Sequence, residues 1–181
     1  MTRSKIIYVY IALSILTMAN YSLGIFFLPA LPAIGSYFNV PKYDTQLAYP
    51  LILLGSSFAY VYIGALSDSI GAKKTLLIQL FLYFMSSFIC VLSGNILIFL
   101  LGIFIQGASS FYTLIIRYTE SELDVDVVKL LSILSFLGTV FVPLSALLSG
   151  YLAHYDWRYI FMLWMIISLT CLLLVYFLPT K

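Results

Sequence analysis

The sequence predicts an all-α integral membrane protein with six transmembrane helices, and three observations carry that prediction. Of its 181 residues, 63% are hydrophobic and only 9% charged, whereas a soluble domain carries about 25% charged residues. The mean hydropathy is +1.09, which excludes a water-soluble fold. A membrane span needs about 20 consecutive apolar residues, and the apolar runs, cut at charges and turn formers, number six. Together they fill a single transmembrane domain over residues 1–181.

Taken in order, the spans are 6–28, 47–66, 75–92, 96–116, 130–153 and 159–178. The first follows Arg3 and Lys5. It is too long for a signal-peptide core and lacks an Ala-x-Ala-like exit, so it is retained as a helix. The second begins beyond the polar connection Lys42-Tyr43-Asp44 and stops at Ser67-Asp68. Lys73-Lys74 opens the third, and Ser93-Gly94-Asn95 separates it from the fourth. Arg117 closes the fourth, Lys129 precedes the fifth, and Trp157-Arg158 introduces the sixth.

Basic residues collect in short cytoplasmic loops. With the amino terminus inside, Arg3, Lys5, Lys73, Lys74, Arg117, Lys129 and Lys181 are cytoplasmic, and only Lys42 and Arg158 lie outside. Both termini are therefore expected in the cytoplasm of a multi-pass protein of the inner (cytoplasmic) membrane. Cys90 and Cys171 fall within spans without metal-binding or disulfide spacing, and they read as small packing residues. No cofactor is expected.

Gly64-Ala65-Leu66-Ser67 at the end of the second span returns as Gly150-Tyr151-Leu152-Ala153 at the end of the fifth. The copies lie on opposite membrane sides, as a three-plus-three inverted repeat requires. The loop after Gly64 carries the most specific pattern in the chain, Gly64-x-Leu66-x-Asp68-x-x-Gly71 followed by Lys73-Lys74. Gly64 would let another helix come close, Gly71 can adopt positive φ, and Asp68 with the two lysines places charge at the membrane face. An ordinary positive-inside hairpin explains the lysines but not the Gly, Asp and Gly spacing.

This loop resembles the signature of the major facilitator superfamily. The Phe27-Leu28-Pro29-Ala30-Leu31-Pro32 segment, Gln106-Gly107-Ala108, Arg117, Gly150 and Trp157-Arg158 are similar, in the same order, to bicyclomycin-resistance-type (Bcr/CflA) drug:proton antiporters. The resemblance implies half of a major facilitator fold, a cytoplasmic gate at Gly64, Asp68, Gly71, Lys73 and Lys74, and export of hydrophobic small molecules. The chain departs from that pattern where the subgroup carries an Asp and an Arg, having Ile25 and Ile103 there, and the antiporter motif of the fifth span keeps only Gly150.

Every charged residue falls at a terminus, connection or span end. A charge at the bilayer centre costs at least about 2.5 kcal/mol and is kept where it does work. Proton coupling through a membrane carboxylate therefore has no candidate within this sequence, and His154, beside Tyr155 and Asp156, reads as an interfacial loop residue.

Uncharged polar residues nonetheless recur at helical spacing. The fourth span shows Gly102, Gln106, Ser110, Thr113 and Arg117 on one face. The fifth shows Ser132, Ser135, Thr139, Pro143 and Ala146, and the first Ser14, Thr17, Tyr21 and Gly24. Small residues also pack membrane helices, which accounts for most of these positions. Gln106 and Asn20 are different, because their amides need partners in hydrocarbon. With Tyr21, Phe27, Ser110, Thr113, Phe136 and Thr139 they are the expected lining of a weakly polar, aromatic cavity. The sixth span, apolar all round, is expected to face lipid.

Alternating access needs two units rocking about a shared site. The sequence matches one unit, so the expected partner is a second six-helix half or a second copy of the chain. The alternatives are a truncated, non-transporting remnant and a membrane adaptor that binds an unrelated protein. A lone His and no paired intramembrane acids leave no basis for an intramembrane enzyme. A net charge of +2 dispersed over helix ends gives none for nucleic-acid binding.

Overall fold

The computed structural model describes residues 3–22, 24–122 and 127–178. The described chain is helical throughout: α1 Arg3–Ser22, a 3-10 turn Leu28–Ala30, α2 Leu31–Phe38, α3 Lys42–Gln46, α4 Ala48–Ile70, α5 Ala72–Leu92, α6 Ile96–Ala108, α7 Tyr112–Glu122, α8 Val127–Tyr155 and α9 Arg158–Tyr176. Among the described residues, five segments are long and apolar enough to cross a membrane, and a shorter apolar helix covers Ile7–Ser22. Lys181 lies outside the described residues, as do the side chains of Arg3 and Lys5.

Local chemistry sets the boundaries. The first span ends at Ser22, not at residue 28, because Gly24 and Pro29 bracket the next turn. Proline also restricts the residue before it. Apolar character continues through Ile25, Phe26 and Phe27, so hydropathy alone overran the helix. Asn39 adopts a left-handed φ of 52° and stops α2. The connection to the second span is thus two short helices. Asn95 caps α6 by accepting from Ile98 N at 2.9 Å.

The packing is symmetrical. Helix α4 lies against α6 and α1 against α8, while α5 packs along α9, α6 and α7. Exchanging spans one, two and three with four, five and six turns the first pairing into the second, as an inverted repeat demands. The residues agree: a Cβ on Gly107 would lie 2.1 Å from Ile52 O, and one on Gly138 would lie 2.8 Å from the Tyr21 ring. The offset of 86 residues between Gly64 and Gly150 carries Ile52 onto Gly138 and Tyr21 onto Gly107.

One end of the bundle is sealed by aromatic rings. Trp157 packs against Phe38, Phe99 and Phe161 at centroid distances of 5.7, 5.7 and 6.0 Å. Within the spans, several hydroxyls are satisfied locally. Thr17, Ser56, Ser57, Thr139 and Thr170 each donate to the carbonyl four residues earlier. Helix α9 buries Phe161, Trp164, Ser168 and Cys171 against the bundle and exposes Met162, Ile166, Leu169 and Leu173. Helices α4 and α8 are the least buried of the long spans.

Candidate functional site

The site begins with an interruption. The fourth span is not one helix, because α6 ends at Ala108 and α7 starts at Tyr112. Breaking a helix inside a membrane frees backbone groups that hydrocarbon cannot satisfy, and neighbouring helices supply partners here. Tyr62 of α4 donates its hydroxyl to Ala108 O at 2.5 Å, and Asn20 Oδ1 of α1 accepts from Phe111 N at 3.0 Å. Gln79 Nε2 of α5 donates to the Tyr62 oxygen at 2.9 Å, so three helices hold the break open.

Its polar stripe accordingly splits. Gly102 sits where a Cβ would lie 2.6 Å from Cys90 Sγ. Gln106 is fully buried and donates to Ser87 Oγ of α5 at 3.1 Å. Both face the interior of the bundle, not a cavity. Gln106 is expected to line the cavity; in the structure its amide lies in a buried cluster with Ser87, beside Tyr83. Phe27 is likewise fully buried. It stacks edge-on to Phe26 at 5.7 Å and contributes to the core, not to a lining.

Beyond the break, the remaining residues do open outward. Asn20, Gly24, Ile52, Leu53, Ser56, Ser57, Tyr60 and Ser110 enclose a recess of about 290 Å³. Tyr21 meets Tyr112 edge-to-face at 5.4 Å, and Tyr112 Oη lies 3.2 Å from Ser135 Oγ of α8. Thr113 is half-buried, Phe136 and Thr139 are exposed, and Thr139 bonds back to Ser135 O at 2.9 Å. Tyr60, Tyr62 and Gln79 were absent from the sequence-derived lining. Tyr60 recurs on the Ile52 and Ser56 face of α4, a spacing the sequence already contained.

At the other end of α4, Gly71 has φ 90° and accepts from Thr75 N at 3.1 Å, linking α4 to α5. Asp68 pairs with Arg117 of α7. Gly64 faces the same arginine, at 3.6 Å from its Nη2 to a built Cβ. That is ordinary contact, so Gly64 does not mark a close helix crossing; the crossing lies at Gly55 and Gly107, where Cβ atoms would sit 2.2 Å from Phe104 O and 2.1 Å from Ile52 O. Lys73 Nζ donates to Leu178 O beyond α9, and Lys74 is exposed.

The remaining motif residues sit at the aromatic end. Pro29 touches the space over Gly150 at 3.6 Å, and Pro32 occupies the first turn of α2 and is exposed. Arg158 donates through Nε to Val91 O at 3.1 Å and through Nη2 to Tyr37 Oη at 2.6 Å, with its guanidinium 4.4 Å from the Tyr37 ring centre.

The bundle thus combines paired inverted crossings, a broken fourth span and an Asp68–Arg117 ion pair at one end. The profile of the Major Facilitator Superfamily matches residues 12–181. The chain belongs to that superfamily. It is 30% identical over 160 residues to the uncharacterized MFS-type transporter YdgK of Bacillus subtilis, covering 82% of this chain and 39% of that protein. It is 28% identical over 155 residues to an uncharacterized transporter of Rickettsia felis, covering 81% of this chain and 37% of the relative. With the multidrug resistance protein MdtL of Salmonella paratyphi A it shares 25% identity over 146 residues, covering 78% of this chain and 37% of MdtL. The chain thus spans under two fifths of the length of these relatives. It is a multi-pass membrane protein of a transporter superfamily.

Proposed function

We propose that this chain is one wall of a small-molecule efflux transporter in the cytoplasmic membrane, and that a second six-helix unit supplies the opposite wall. One observation carries the reading. The recess beside the helix break is lined by α1, α4 and the break itself, and the two least buried long spans, α4 and α8, expose Leu53, Phe58 and Val61 on the first and Phe136, Val140 and Leu147 on the second. Large apolar side chains flanking a weakly polar recess are what a mate would cover. The relative MdtL is a multidrug resistance protein, and the exposed apolar side chains favour hydrophobic cargo for this chain.

In this reading the Asp68 and Arg117 end faces the cytoplasm, following the basic residues. That ion pair, with Arg117 36% and Asp68 71% exposed, contributes about 0–1 kcal/mol. It is weak enough to break and reform as two units rock.

Single cysteines at Leu53 and Leu147 test the proposal in native membranes. Crosslinking should capture a six-helix partner of the same superfamily or a second copy of the chain, and cells holding the assembly should extrude a lipophilic dye faster than cells without it. Crosslinks to an unrelated protein, or side chains at both positions quenched by lipid-borne nitroxides in the native assembly, would count against transport.

A further inference from the structure

The broken fourth span supplies a more specific assignment, which rests on the transport reading for its place but not for its chemistry. Asn20 Oδ1 accepts from Phe111 N. A backbone N–H only donates, so the oxygen of the amide must face the break and its NH₂ group is left over. That group has no acceptor among the described residues. Ser110 is 6% exposed and lines the recess; its backbone N donates to Gly107 O at 3.0 Å, while its hydroxyl has no hydrogen-bond partner among the described residues. An unpaired hydroxyl reaching the recess from a residue that is otherwise more than nine-tenths buried is a donor that a ligand would satisfy. Tyr60 brings a second free hydroxyl, and a third donor, to the same lining.

The two other hydroxyls differ. Ser56 and Ser57 have committed their protons to Ile52 O and Leu53 O at 3.0 Å each, so they offer only lone pairs. The recess therefore presents the Asn20 amine, the Ser110 hydroxyl and the Tyr60 hydroxyl as donors, beside the start of α7. A helix start adds positive potential and unpaired amides. No lining residue carries a charge.

We propose that this recess is a subsite for the carbonyl oxygen of an uncharged aromatic ketone or amide, held by Asn20, Ser110 and Tyr60. A lipophilic cation finds no counter-charge there, and an apolar hydrocarbon leaves all three donors unpaired.

Benzophenone tests the assignment directly, because it is a neutral diaryl ketone and forms covalent adducts with nearby C–H bonds on irradiation. The full chain, reconstituted in lipid nanodiscs, is irradiated with benzophenone and the adducts are mapped by mass spectrometry. Adducts are expected in segments 20–24, 56–60 and 110–113. Tyr60→Phe and Ser110→Ala should each lower them about fivefold, the worth of one hydrogen bond of about 1 kcal/mol. A benzophenone bearing a trimethylammoniomethyl group should label these segments weakly. Labelling unchanged in both variants, or equal labelling by the cationic probe, overturns the subsite. Tyr60→Phe removes one exposed hydroxyl, so loss of fold does not explain a negative result there. Adducts at these segments without efflux by the assembled protein overturn the transport reading alone. Efflux with adducts confined to lipid-facing side chains overturns the subsite alone.

Discussion

Gly107 and Gly55 show how a single hydrogen atom in place of a methyl group sets the distance between two helices. At both positions the nearest atoms are backbone, with Ile52 O and Phe104 O at 2.1 and 2.2 Å from a built Cβ, and backbone cannot rotate aside. Gly107→Ala is therefore expected to force α4 and α6 apart and to lower stability by at least about 2 kcal/mol, measured as loss of helix content under denaturant in mild micelles. Gly94→Ala, with nothing within 4 Å, should stay within about 0.5 kcal/mol of the parent. Residue chemistry of this kind is only half visible in a sequence. Asn20 and Gln106 announce themselves as amides that need partners, but the sequence does not say whether a partner is a ligand, a side chain or a broken helix. Gln106 found Ser87, and Asn20 found Phe111 N.

The break between α6 and α7 belongs to the scale of the element. Tyr62→Phe removes the hydroxyl that meets Ala108 O and also strands Gln79 Nε2. A loss of about 1–3 kcal/mol is expected for orphaning buried polar groups. Asn20→Ala leaves the Phe111 amide without its acceptor. Faster hydrogen exchange at Phe111, with exchange in α9 unchanged, would show that the damage is local. The spans themselves were legible, because charges and turn formers interrupt runs long enough to cross a bilayer. The interruption was not, since Gly102, Gln106, Ser110 and Thr113 keep helical spacing straight through it. No proline or glycine marks Ser109, Ser110 or Phe111. What opens the helix is partners on α1 and α4, and tertiary partners leave no local signal. The short helices α2 and α3 were hidden for a related reason, lying in a connection too short and polar to read as spans.

At the scale of the molecule, the inverted pairing predicts that the two crossings act as separate and unequal counterparts. Gly107 meets a carbonyl, whereas Gly138 meets the ring of Tyr21, which can turn. Gly138→Ala should therefore cost less than Gly107→Ala. Because the crossings share no partner, the double variant should show the sum within about 0.5 kcal/mol; a clear excess in the same denaturation assay would mean that the repeats are mechanically joined. The faint return of Gly64 as Gly150 pointed to this symmetry before any geometry was known, but only the crossings gave it content.

The hydroxyls that bond back to their own helices carry a consequence for biogenesis. A serine or threonine whose proton already rests on its own preceding turn, as at Thr17, Ser56 and Thr170, adds little resistance when its segment leaves the translocon for lipid. Asn20, Gln79 and Tyr62 have no such private outlet, and their partners lie on other segments. Insertion can thus run one segment at a time, while the amides and the tyrosine stay unsettled until their neighbours arrive.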